Sequence, residues 1–267
     1  MNITLGRPLA VSEKGRRNNN EDTIFPLSEI ASSTDRLYMV CDGVGGASRG
    51  EVASSMACDV INSFFCTFLK GDPDVDFVNK AVQYVETCFD TYTNDHPEAI
   101  GMATTLALVY VMPSAVMVAH IGDSRVYHLR KGKILYRTED HSLINSWVKL
   151  GLITEEEAIV HPKKNIILRA IQGRKRPTEA DVTLLTDIEA GDLFLLCSDG
   201  VIESFTDKEL EELFSTPSPL EYYKETLVEK CLQGSRDNFS FYLLPVESVE
   251  KTESLKQNFL SFLYSFM

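Results

Sequence analysis

Four strand-like runs lie almost end to end between residues 104 and 137, and their spacing limits the fold more than any other feature of the chain. They are Thr104–Val111, Ala115–Ile121, Arg125–Leu129 and Lys133–Arg137. Connections such as Met112-Pro-Ser114 and Arg130-Lys-Gly132 suffice for a hairpin but are far too short for a parallel crossover. Antiparallel sheet is therefore expected, with the sequence leaving open whether there is one sheet or two. Three further runs, Leu37–Cys41, Asp192–Cys197 and Phe239–Leu244, read as strands of the same kind.

Helices are expected around this sheet. Ser48 and Glu51 have the spacing of a capping box. After them, two adjacent rows repeat every four residues: Val52, Met56, Val60, Phe64, Phe68 and Ala53, Ala57, Ile61, Phe65, Leu69. A second helix fits from Asp74, with Val78, Val82, Val85, Phe89 and Tyr92 on one face. Thr206 with Glu209 forms another capping box, and Ser218, Pro219, Glu221 and Gly234 bracket a later helix with cap, first-turn proline and terminal glycine. Faces this broad require a large flat partner, so helices layered on antiparallel sheet is the expected architecture.

The 267 residues, 44% hydrophobic, suffice for one large domain, and no linker, repeat or low-complexity block divides them. A net charge of -13 argues against nucleic acid as a partner, because phosphate backbones are bound by basic surfaces. The opening segment, MNITLGRPLAVSEKGRR, lacks the apolar core of a secretory signal, and no apolar run is long enough to span a bilayer. The six cysteines show no zinc spacing and several lie in apolar runs, so reduced, buried cysteines in a cytoplasmic protein are expected.

The apolar runs also deliver acids. Asp42 in VCDGVGG, Asp123 in AHIGDSR and Asp199 in LLCSDGV each stand at or just past a strand end, and Asp237 in GSRDNFS stands just before the last strand. Glu21 and Asp22 follow Arg17 in RNNNED. One Asp-Gly alone is a common turn dipeptide. Four such sites at strand ends would crowd carboxylates together, and these repel unless cations neutralise them. An all-oxygen ligand set suits Mg2+ or Mn2+. Two such ions can lower the pKa of a shared water and clamp a phosphoryl group, while a fork-shaped guanidinium such as Arg17 binds phosphate oxygens.

These motifs, in the order RNNNED, VCDGVGG, GMATTL, HIGDSRVY, TEDHS, NIILRAIQG, LLCSDGV and GSRDNFS, resemble the PP2C-type metal-dependent protein phosphatases in their bacterial form, over roughly residues 5 to 245. The resemblance implies an α+β fold: a four-layer α/β/β/α sandwich of two antiparallel sheets, spanning residues 1–247, with a flap at about 142–173. Residues 248–267 are left as an amphipathic tail, which could pack on the body, dock a partner or lie on a lipid surface.

The resemblance also implies roles. Asp42 bridges two core ions (Mn2+ or Mg2+), and the backbone carbonyl of Gly43 joins it on the first. Asp199 and Asp237 hold the second, and Asp123 with Asp199 holds a weaker third. Arg17 binds phosphate, Asp22 orients water from the outer shell, and Glu21 is a further outer-shell candidate. The implied reaction is direct in-line attack of a bridging water or hydroxide on phosphoserine or phosphothreonine in proteins, with no phospho-enzyme. The implied partners are phosphoproteins and a cognate serine/threonine kinase.

Val44 departs from the pattern, because some members carry there a histidine proposed as the acid. A metal-bound water then takes that role, and no histidine of this chain is assigned to catalysis. His120 and His141 are read as structural, Thr104 and Thr105 as strand residues, and Ser124 and Ser198 as lacking the base a nucleophile needs. Within the flap, Leu143, Trp147, Leu150 and Ile153 could form one apolar face, and Thr154 starts another helical turn. The flap is either a mobile element that touches the phosphoprotein or a cover for the core. Arg174, Lys175 and Arg176 read as a solvated loop. Two rival functions are a binding module without hydrolysis, which should have lost metal aspartates, and a phosphoesterase acting on nucleotides or small molecules.

Overall fold

The computed structural model describes residues 2–44 and 49–250. In chain order its elements are β1 (Asn2–Leu5), β2 (Leu9–Glu13), β3 (Asp22–Phe25), β4 (Leu37–Val44), α1 (Gly50–Phe68), α2 (Val75–Asp95), β5 (Ala103–Thr104), β6 (Leu106–Val111), β7 (Val116–Ile121), β8 (Arg125–Arg130) and β9 (Lys133–Arg137). There follow α3 (Leu143–Lys149), α4 (Glu155–Val160), β10 (Asp181–Leu185), β11 (Leu193–Cys197), α5 (Asp199–Ile202), α6 (Asp207–Ser215), α7 (Leu220–Gly234) and β12 (Phe239–Glu250).

The strands form two antiparallel sheets. One runs β1-β12-β11-β8-β9, with β2 also on β12; the other runs β10-β7-β6-β4-β3, with β5 on β4. The short connections at 112–114 and 130–132 close hairpins, β6 on β7 and β8 on β9, as their lengths require. The equally short Gly122-Asp123-Ser124 does not: β7 and β8 belong to different sheets, and this connection passes from one to the other. Nothing in the sequence separates a three-residue hairpin from a three-residue step between sheets.

Alternation along the strands builds three layers of core. Tyr38, Val40, Val109 and Val118 face Phe194, Leu196, Tyr242 and Leu244 between the sheets. Met39, Cys41, Leu108 and Ala119, on the opposite faces of the same strands, meet Ala57, Ile61 and Phe65 of α1 and Val82, Val85 and Phe89 of α2. Leu195, Cys197, Phe239 and Phe241 pack under Val201, Leu210, Phe214 and Leu227 of α5, α6 and α7. Strands covered on both faces bury every position, which is why these runs are continuously apolar rather than alternating. The result is the expected sandwich of helix, sheet, sheet and helix.

Several local expectations are corrected. The run from Thr104 breaks at Thr105, because that residue's N–H and hydroxyl turn to the backbone of Asp42. Strand β4 continues to Val44, so Asp42 and Gly43 lie inside it rather than beyond its end. Strand β12 runs on to Glu250 because its second half pairs with β1, moving the end of the folded body past 247. The remaining tail lies outside the described residues.

Helix α1 has Arg49 at its N-cap, with φ 62° and no side-chain cap; Ser48 of the expected capping box lies outside the described residues. In α7 Pro219 holds the N-cap position without capping, Ser218 bonds back to Thr216, and Gly234 is the last helical residue rather than the one beyond it. The capping boxes Thr206–Glu209 and Thr154–Glu157 are both formed. In the flap Ile144 is the buried residue of α3, and Leu150 is 72% exposed, so the expected apolar face does not exist as drawn.

Candidate active site

Register brings the acids to one end of the sandwich. Asp22 opens β3 directly opposite Asp42 in β4. Asp123 lies in the step between sheets, and Asp199 opens α5 after the single residue, Ser198, that follows β11. Asp237 precedes β12, whose Phe241 pairs with Cys197 at the same end of β11. Five separate segments thus converge because the strands that carry them are neighbours, directly or across the sandwich.

The backbone carrying Asp42 is fixed on both sides. Its N–H donates to the Thr105 hydroxyl (2.9 Å), and its carbonyl accepts from Thr105 N–H (2.9 Å) and the Thr104 hydroxyl (2.9 Å). Gly43 donates its N–H to the Glu21 carbonyl at 3.0 Å. A Cβ there would collide with the Gly50 and Glu21 carbonyl oxygens, so only glycine lets α1 approach this closely.

The carboxylates are buried without the donors that usually accompany burial. Asp22 Oδ2 accepts from the Ser198 hydroxyl at 2.7 Å, but Asp22 Oδ1, Asp123 Oδ1 and Asp199 Oδ1 are buried with no hydrogen-bond partner among the described residues. Burial pushes Asp42 and Asp199 well above the usual carboxylate range, and each is raised further by the others' charge. Burial likewise raises Asp22 to about 7 and, with the charge of Asp140, Asp123 to about 6. A buried unsatisfied oxygen is costly. These acids raise one another's pKa and so stand in one neighbourhood. As hard oxygen donors they suit Mg2+ or Mn2+, although no three of their oxygens come within 4.8 Å of one another in this structure.

Arg17 reaches this cluster and pairs with Asp237, an interaction that raises the guanidinium's pKa. Glu21 contributes chiefly through its main chain: its N–H donates to Asn238 Oδ1 (2.9 Å), and its carbonyl accepts from the Ser54 hydroxyl (2.6 Å). Burial, with the charge of Glu51, raises its carboxyl.

Sequence reasoning missed Asn238. Its amide donates to the Lys14 and Asn19 carbonyls (2.8 Å each), so one side chain pins the whole loop carrying Arg17 and Glu21 beside Asp237. Arg16 ties the same loop to the carbonyl of Gln233 at the end of α7 (2.8 Å). Only adjacence to Asp237 hinted at Asn238. Thr104 and Thr105 were expected simply to pack, yet their hydroxyls carry Asp42. Ser124 and Ser198 are spoken for, by Thr105 (2.6 Å) and Asp22, and neither is poised as a nucleophile. Arg174 is anchored to Asp90 at 2.7 Å.

Beside Asp123 and Asp199 opens a cavity of about 750 Å³, walled by Ile144 and Val148 of α3, Ala158 of α4 and the start of α6. The flap is therefore one wall of the site's entrance.

The protein phosphatase 2C family matches residues 12–233. The serine/threonine phosphatase stp of Listeria monocytogenes is 31% identical over 247 residues, covering 90% of this chain and 96% of that one. Among solved structures, Stp1 of Staphylococcus aureus superimposes with a TM-score of 0.79 at 29% identity, covering 90% of this chain and 95% of that chain. The catalytic domain of the phosphatase PstP, solved with two manganese ions, gives 0.77 at 30% identity, covering 92% of this chain and 100% of that one. The two-sheet sandwich is thus shared with known serine/threonine phosphatases. This chain belongs to the protein phosphatase 2C family and is a serine/threonine protein phosphatase.

Proposed function

We propose that the chain hydrolyses phosphoserine and phosphothreonine in proteins by direct in-line attack of water, at a centre of two Mn2+ or Mg2+ ions with a third, weaker one. The observation that carries this reading is the set of buried aspartate oxygens without partners among the described residues, at one end of the sandwich. In it Asp42, the Gly43 carbonyl, Asp199 and Asp237 would hold the two core ions, and Asp123 with Asp199 would hold the third. When bound, the ions supply a water of lowered pKa and positive charge for the phosphate oxygens.

The chain's own residues do the rest. Asp22, held through Oδ2 by Ser198, keeps Oδ1 free to accept from water and orient it. Glu21 stands behind it as a weaker outer-shell candidate. Arg17, paired with Asp237 here, would turn to phosphate oxygens if Asp237 were taken up by an ion. A bond forms from water oxygen to phosphorus as the bond to the serine or threonine oxygen breaks, and a proton passes to that leaving oxygen. Ser124 and Ser198 are engaged by Thr105 and Asp22, and attack by water itself leaves no phospho-enzyme. The substrates imply a serine/threonine kinase that makes them, and six free cysteines favour the reducing cytoplasm.

The test is phosphate release from a phosphothreonine peptide and, in parallel, from nucleotides, with Mn2+ and with EDTA, for wild type and Asp199→Asn. Metal-dependent peptide turnover, lost in the variant, is expected. Metal binding without release from any phosphopeptide would sink the reading; preference for nucleotides would redirect it to small phosphoesters.

A further inference from the structure

His120, His141 and Asp181 bring one ligand atom each to within 4.8 Å of one another, the one such trio among the described residues. It has the composition of a transition-metal site, but its geometry argues otherwise. An imidazole nitrogen directs its lone pair in the plane of the ring, and these two rings are stacked, 4.5 Å apart and 24° from parallel. The cationic position is also filled, since Arg169 Nη1 lies 2.9 Å from Asp181 Oδ1 and 3.0 Å from His141 Nε2.

What His141 does hold is the peptide of Gly122, the residue before Asp123. Its backbone N–H donates to the Gly122 carbonyl at 2.9 Å, and its Nδ1 accepts from the Gly122 N–H at 3.1 Å. With Nδ1 an acceptor, the neutral ring carries its hydrogen on Nε2, which donates to Asp181 Oδ2 at 3.1 Å. Arg169 Nη1, also a donor, then bonds Asp181 Oδ1 and only abuts Nε2. Gly122 has nowhere else to go. Its φ is +95°, and a Cβ would lie 2.6 Å from the methyl of Thr105, the residue that also holds Asp42. His141 equally grips the far end of the flap: its carbonyl accepts from Leu168 N–H at 2.7 Å, and the Arg169–Asp181 pair closes over its ring. Three residues on, Ile171 pairs with Thr104 through two backbone bonds, of 3.1 and 2.8 Å.

We propose that His141 is a positioning residue, setting Asp123 for its cation through the Gly122 peptide and coupling that placement to the trailing segment of the flap. The proposal rests on the reading of Asp123 as ligand of the third ion. Coupling of this kind is reciprocal: a flap held by substrate favours the third ion, and the third ion favours that flap position.

The experiment counts Mn2+ bound to the full chain by its electron paramagnetic resonance signal, and follows hydrogen exchange at the Gly122 amide without metal. In His141→Ala the weakest site should lose roughly tenfold or more in affinity, as outer-shell partners do, with the two tight sites within about twofold. Protection of the Gly122 amide should fall with it. His141→Asn places a carbonyl oxygen where Nδ1 stood and should restore both; His141→Gln places it at Nε2 and should restore neither, which keeps the test open should alanine fail to fold. Equal behaviour of Asn and Gln, or an unchanged third site and amide in Ala, overturns the proposal. If wild type binds only two ions, the third-ion reading falls instead, and an unprotected Gly122 amide in wild type would remove the coupling as well.

Discussion

Asp192 and Asp199 bracket the same strand, and in the sequence GDLFLLCSDG they look interchangeable. Their surroundings are opposite. Asp192 is fully buried, but Arg130 Nε and Nη2 reach its two oxygens at 2.7 and 2.9 Å, His128 Nε2 lies at 2.8 Å, and the Glu189 N–H donates at 2.9 Å. Burial alone would push its pKa up; those donors bring it down to about 2. Asp199 has a buried oxygen with no partner among the described residues and three aspartates raising its pKa beyond what burial does. Fully paired buried charge is architecture, whereas unpaired buried charge is stability given up for a ligand.

The largest expected effect separates the two ends. Asp199→Asn should lower kcat/KM for a phosphothreonine peptide by roughly two to three orders of magnitude, the scale of losing a principal electrostatic contact in a transition state. It should leave the EDTA-treated protein at least as stable as wild type. A variant that is much less stable without metal would show that Asp199 belongs with Asp192 after all. Next, Asp192→Ala should cost about 3 kcal/mol in urea unfolding by stranding Arg130 and His128, with kcat/KM little changed at temperatures where it stays folded.

The two ends should also answer pH with opposite sign. Asp22 at about 7 and Asp123 at about 6 lie above their unfolded values, so the metal-free fold binds their protons more tightly than the unfolded chain does. Their effect is a stability that falls as pH rises from roughly 4 to 7. Asp192, depressed to about 2, contributes stability that is complete above its unfolded pKa and lost as pH falls through the folded one. Urea titrations in EDTA should therefore give higher stability at pH 5 than at pH 7.5. The difference should shrink in Asp22→Asn; a profile rising from 5 to 7.5 would refute this view of the cluster. The smallest effect is that of Arg17→Ala, which should raise KM for phosphopeptide about fivefold with kcat changed less, the cost of one exposed charge-assisted contact.

The candidate site was readable because its elements are local. Asp42, Asp123 and Asp199 each follow an apolar run; β4 and β7 flank β6 and so end at the same edge, while β11 of the other sheet brings Asp199 to that edge across the sandwich. What could not be read was what holds them. The break at Thr105, the Asn238 clamp and the His141 grip on Gly122 all join residues far apart in the chain, through side chains whose types suit many other contacts. Arg17 was expected to face phosphate and pairs here with Asp237, because a guanidinium next to a crowd of carboxylates takes the nearest one.

The sequence by itself determined the antiparallel strands, the helices that cover them and the supply of aspartates, because short connections and hydrophobic period act within a few residues of one another. Tertiary structure alone decided that the Gly122–Ser124 step crosses between sheets rather than turning back. It alone decided that Asp192 is paired by Arg130 and His128 while Asp199 sits among Asp22, Asp123 and Asp237. Both outcomes depend on which surfaces become neighbours once the apolar faces are buried, and a carboxylate's energy is set by those neighbours rather than by its place in the chain.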